Sequence, residues 1–210
     1  MTRTLNIHFS SKALETLGQQ KKRVVVVKES NEALPDDNAV IAWFTTTPFQ
    51  EMKITWEEEF YLYGSQTEFQ AGAVIEKTSS TDKKVNDKNY LYQFGPKSAT
   101  FKGESYTQGK AGTIYMKNLF ADGDFTLFGL AQKITCSGKN HINPINAVES
   151  ILNDNIAFTP VEKIRVFLQA NVQDAKVLTA ISSDPISLNF TGNTEQSIRY
   201  DEDKNCFVEE

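Results

Sequence analysis

Histidine is almost missing from this chain, whose 210 residues hold only His8 and His141. A three-histidine zinc site is therefore excluded, and no His-x-x-x-His or Cys-x-x-Cys spacing occurs. Cysteine is as scarce: Cys136 and Cys206 could form one bridge at most, too little for a disulfide framework. No apolar run approaches the roughly 18 residues of a membrane-spanning helix. The opening stretch MTRTLNIHFSSKALETLGQQ lacks the apolar centre of a secretory signal. Together these predict a cytoplasmic protein, or one released without a cleaved signal. The sequon Asn189-Phe190-Thr191 then carries no expectation of a glycan. Basic charge is also short. With 22 Lys and Arg against 27 Asp and Glu, the net charge of −5 argues against a nucleic-acid partner. There is no Gly-x-Ser-x-Gly elbow, and GKAGT (109–113) lacks the spacing of a phosphate-binding loop.

What the chain does have is apolar and aromatic material for a sizeable core: 40% hydrophobic residues, with 14 Phe, 7 Tyr and 2 Trp. Strand-like runs recur roughly every ten to fourteen residues, the spacing of a sandwich or barrel. RVVVVKE, AVIAWFTT, KITWEEEFYLYG, KIRVFLQAN and AKVLTAISS are the clearest. Turn residues separate them, as in LPDDN, GPKS, ADGD and SDP. The expectation is an all-β, mostly antiparallel β-sandwich formed by one domain over 1–210. Two short helices are expected. SSKALETLG (10–18) would end at Gly18, and NAVESIL (146–152) would be capped by Asn146.

Two segments resemble each other. KRVVVVKESNEALPDDNAVIAWFTTTPF and EKIRVFLQANVQDAKVLTAISSDPI share a charged lead-in, a β-branched strand, a polar loop with Asp, a second strand and a Thr/Ser-Pro end. Pro48 and Pro185 anchor the match. The pattern predicts two similar β units related by internal duplication, over roughly 1–102 and 103–210.

Candidate site residues cluster in KITWEEEFYLYG (53–64). Strand alternation puts Ile54, Trp56, Glu58, Phe60 and Leu62 on one face, with Tyr61 and Tyr63 as a row on the other, outer face. A carboxylate inside an apolar row is either a functional acid or the mark of a β-bulge that turns Glu58 to solvent. Trp56, Glu58, Tyr61 and Tyr63 are the ligand-binding candidates, because aromatic faces beside carboxylates bind sugars or protein partners. Asp122 and Asp124 in ADGDF begin like a calcium loop but lack its later ligands, so calcium is the only cofactor considered. The expected function is a non-enzymatic, lectin-like binding protein that recognises a carbohydrate or other surface ligand. Three alternatives stand beside it. One is a membrane-acting, toxin-like protein that binds lipid head groups, with 109–120 as an amphipathic arm. Another is a hydrolase that pairs Glu58 with Asp122 or Asp124. The last is a self-assembling structural protein, a homodimer joined through sheet edges.

Overall fold

The computed structural model describes residues 1–31, 34–36, 38–85, 88–121 and 123–210. The chain begins with β1 (Thr2–His8), α1 (Ser11–Gln19), β2 (Lys22–Ser30), β3 (Val40–Ile41), β4 (Phe44–Thr46) and β5 (Glu51–Ser65). It continues with β6 (Ser79–Ser80), β7 (Tyr90–Phe94), β8 (Phe101–Ser105), β9 (Ile114–Asn118), β10 (Leu127–Cys136) and β11 (Lys139–Pro144). Then follow β12 (Val148–Glu149), β13 (Asn155–Phe158), β14 (Pro160–Ala170), β15 (Val177–Leu178), β16 (Ile186–Asn189), β17 (Glu195–Asp201) and β18 (Cys206–Glu209). The all-β expectation holds, with several mostly antiparallel sheets packed in layers.

A large sheet runs in the order β11-β10-β5-β1-β17-β18, and two four-stranded sheets pack on it, β16-β14-β2-β4 and β13-β9-β7-β8. The fifteen-residue strand β5 belongs to both packings. Its first half pairs with β1 and carries Met52, Ile54 and Trp56 into a core shared with Val24 and Val26 of β2 and Val166 of β14. Its second half carries Leu62 into the part of that core built from Phe94, Ile114, Met116, Phe128 and Phe158. Phe94 is the hub there, with its ring about 5.0 Å from those of Phe125 and Phe128. The four valines of β2 explain its central place. β-branched side chains suit an extended backbone, and here both faces are covered. Val24 and Val26 face the main core, while Val25 and Val27 meet Val40, Phe167 and Leu178.

The helix at 11–19 forms as expected. Ser10 caps it, its hydroxyl accepting from the Ala13 N–H at 3.0 Å, while Ala13 and Leu17 are buried. Gly18 does not end it. The left-handed residue is Lys21, with φ 53°, whose N–H reaches back to Gly18 C=O. The second helix, over 146–152, is absent. Val148 and Glu149 pair with β10, the Asn146 side chain accepts from Leu130 N–H at 2.7 Å, and Ile151 is 75% exposed. Asn146 is instead held between β10 and β5, its C=O accepting from the Tyr63 hydroxyl at 2.6 Å.

The two similar segments lie against each other, β2 pairing antiparallel with β14 and β3 with β15. Every antiparallel pair has a local two-fold axis, so this pairing does not separate duplication from likeness of pattern.

Glycine substitutions test the packing. At Gly129 a Cβ would lie 2.3 Å from Asn146 C=O and 2.7 Å from the Tyr63 ring, whereas Gly18 has nothing within 4 Å. Gly129→Ala is expected to lower stability by about 1–3 kcal/mol or more. Gly18→Ala, in a helix, is expected to raise it by roughly 0.5–1 kcal/mol. Urea denaturation of both variants reads the contrast directly.

Candidate functional site

Two bulges define the site. Between the pairs Trp56↔Ile134 and Phe60↔Gln132, residues 57–59 of β5 stand opposite Lys133 alone. Between Pro160↔Ser30 and Ile164↔Lys28, residues 161–163 of β14 stand opposite Glu29 alone. The middle residue of the first bulge is Glu58 and that of the second is Glu162. Two extra residues preserve alternation, so Glu58 keeps the core-side phase of Trp56 and Glu162 that of Ile164 and Val166. Here both carboxylates are turned toward Lys28 and Arg3.

Lys28 follows Val24 and Val26 on the core face of β2, and its side chain is fully enclosed at 0% exposure. The ammonium donates to both oxygens of Glu162, at 3.1 Å each. It also lies 5.6 Å from the Trp43 ring and 5.9 Å from the Trp56 ring. The Trp56 indole N–H points to Glu162 at 3.4 Å. Arg3, at the start of β1, donates to Glu58 at 2.6 Å, and its Nε lies 3.7 Å from Glu162. That Nε is buried without a hydrogen-bond partner. Two cations and two carboxylates thus balance inside the protein. Burial pushes the Lys28 ammonium below its ordinary value, and the carboxylate of Glu162 opposes that shift.

The cluster opens on one side only. Glu58 is 46% exposed and Glu162 14%, whereas Arg3 and Lys28 are shut in. Above the two carboxylates lies a cleft of about 320 Å³, walled by Phe60, Val85, Ile114 and Pro160. Bound ligands commonly occupy pockets of about 300–1,000 Å³, so this one suits a group the size of a single ring.

The expected binding residues fare unequally. Glu58 lies in the bulge that the glutamate run foreshadows and forms part of the cleft. Trp56 is buried and acts from behind, through Glu162 and Phe190, whose ring is 4.7 Å away. Tyr61 and Tyr63 are not an outer row. A second core covers that face of β5, and Tyr63 is wholly enclosed, its hydroxyl donating to Asn146 C=O at 2.6 Å. Burial drives the Tyr63 phenol upward. Ile41, Leu127, Ala131 and Val177 supply that cover, from chain segments remote in sequence. Asp122 lies outside the described residues. Asp124 is exposed beside a different cleft, with Glu68 and Glu149, so it does not meet Glu58. Among the described residues no group of three or more His, Cys, Asp or Glu is placed to hold a metal.

His141 lies in β11, with Nδ1 3.4 Å from Asp174 and its ring against Phe44. Asp174 is filled by other donors, the Thr45 N–H and hydroxyl and the Asn143 amide. This network ties the 171–176 loop to β4 and β11. Cys136 and Cys206 are both free thiols. The segment 109–120 is no free arm, since β9 sits between β13 and β7 with Ile114 and Met116 buried. Comparison with protein-family models, curated protein sequences and solved structures returned no match.

Lys28, Arg3 and Glu162 were missed in the sequence. One signal was present: Lys28 continues the Val24–Val26 alternation and so points inward.

Removing Glu162 would strand a buried ammonium. Glu162→Gln is expected to destabilise the fold by about 3–5 kcal/mol, and Lys28→Met in the same chain to restore most of it. The lysine has its own pH signature. Its folded-state value lies below the ordinary 10.5, so over that interval the unfolded chain holds the extra proton. The desolvation cost is present in full at lower pH and fades as pH rises toward 10.5. Stability measured by denaturant titration should gain from this group with rising pH, and that gain should vanish in Lys28→Met.

Proposed function

We propose that this protein is a non-enzymatic, lectin-like binding protein that takes a neutral, hydroxyl-bearing ligand of sugar-ring size in the cleft above Glu58 and Glu162. The observation that supports this is the pairing of an acceptor floor with apolar walls. Glu58 and Glu162 offer carboxylate oxygens that hydroxyl groups can donate to, and Phe60, Val85, Ile114 and Pro160 offer a surface for the ring's C–H face. The cluster's balanced charge favours a neutral guest over an ion. The fixed geometry also lowers the ordering cost of binding, since Arg3 and Lys28 already hold both carboxylates.

The same arrangement disfavours the hydrolase reading. A pair of carboxylates works in glycoside hydrolysis when one carries a proton to give. Glu162 accepts from both the Lys28 ammonium and the Trp56 indole, and Glu58 accepts from Arg3. Both carboxylates are thus already engaged as acceptors within the protein.

A glycan array, screened with and without calcium, tests the reading, followed by calorimetry on any hit. Glu58→Gln should weaken binding roughly tenfold or more, because a charge-assisted hydrogen bond contributes about 1.5–3 kcal/mol. Phe60→Ala should weaken it too, with the fold retained by circular dichroism. Uniform silence on the array, or affinity indifferent to both substitutions, would overturn the assignment.

A further inference from the structure

Among the described sheet edges, β8 has the longest unbroken run of exposed residues: Lys102, Gly103, Glu104 and Ser105. It pairs with β7 on one side, and its other side ends the β13-β9-β7-β8 sheet. The backbone phase of that free side can be worked out. Gly95 N–H donates to Thr100 C=O at 3.2 Å, and Tyr106 N–H donates to Asn89 C=O at 2.8 Å. Both bonds flank the β7–β8 ladder in the same phase, so Lys102 and Glu104 turn their backbone N–H and C=O toward β7. Phe101, Gly103 and Ser105 therefore present theirs outward. Unbonded, these groups form a template for another strand.

The side chains narrow the choice of partner. Lys102 and Glu104 share the solvent face of β8, one on each side of Gly103. Lys102 forms no ion pair among the described residues, while Glu104 accepts only from the Gln93 amide, at 2.6 Å. Now let a second β8 approach antiparallel with Gly103 facing its own copy. The outward groups of Gly103 meet those of Gly103, and those of Phe101 meet those of Ser105. That makes about six inter-chain hydrogen bonds in regular alternation. In the same register each Lys102 falls directly opposite Glu104 of the other copy. It does so at the non-hydrogen-bonded positions, where facing side chains come closest. Backbone phase and charge thus select one register. No side chain projects at the axis, since Gly103 has none and the stacked Tyr90 and Tyr92 rings cover it from the other face.

We infer that the β8 edge is a self-recognition surface, through which a second copy of this chain joins antiparallel about a two-fold axis at Gly103 to continue the four-stranded sheet across both molecules. The contact is isologous, so it closes at the dimer and does not propagate. Five residues a side is a small interface, which fits a weak dimer populated at high micromolar to millimolar protein. The inference is independent of the ligand cleft, because neither β8 nor Gly103 contributes to its walls.

Sedimentation equilibrium of the full chain, up to on the order of 1 mM, tests this, with amide exchange followed by NMR. The expected result is a monomer–dimer equilibrium in which protection of the Phe101, Gly103 and Ser105 amides rises with concentration. Lys102→Glu or Glu104→Lys alone should weaken the dimer roughly tenfold, because each places like charges opposite. The exchanged pair Lys102→Glu with Glu104→Lys should restore it. A monomer at every concentration would overturn the inference. So would a dimer indifferent to both single substitutions, or one whose protection appears on another edge.

Discussion

An ammonium group enclosed between two sheets needs a carboxylate beside it, and both bulges of the candidate site gather around that pair. Lys28 sits where Val24 and Val26 lead it, in the core side of β2. Apolar neighbours alone would leave a charge whose burial costs several kcal/mol. Glu162, on the core face of β14 with Ile164 and Val166, takes both hydrogen bonds from within the bulge at 161–163. The bulge at 57–59 then lets Glu58 reach Arg3, which stands beside Glu162. Together these contacts join four strands, β1, β2, β5 and β14.

The bulge in β5 has an architectural role as well. It falls where the long strand passes from one small sheet to the other, between Trp56, packed near Phe190, and Leu62, packed near the Phe94 cluster. A bulge bends and twists its strand, which suits a strand serving two packings. The cleft lies at this bulge, walled by Phe60 of β5, Ile114 of β9 and Pro160 of β14. Position and chemistry of the candidate site therefore meet at one bulge.

How much of this could be read from the sequence depends on distance along the chain. The β class was legible because alternation is a local signal, and so was the short helix that follows Ser10. A bulge at the three glutamates was also legible, since an ionised side chain in an apolar row has few other resolutions. Tyr61 and Tyr63 were misread as an outer row because their cover arrives from segments around Ile41 and Val177, and nothing near the tyrosines announces it. NAVESIL was misread for a related reason. Its apolar spacing fits a helix, but Asn146 is held by Leu130 and Tyr63 from other strands. Glu162 shares the inward phase of Ile164 and Val166, but its partner Lys28 lies 134 residues away, so the pairing itself was not legible.

Trp43 and Trp56 are the chain's only tryptophans, and their rings meet edge to face at 5.7 Å, with the Lys28 ammonium 5.6 and 5.9 Å from the two. A positive charge beside an indole shifts and dims its emission, because the excited ring is a strong dipole. Every photon that the indoles of this protein emit therefore originates at one spot, behind the wall of the cleft, and the chain carries a built-in optical probe of its own charged centre.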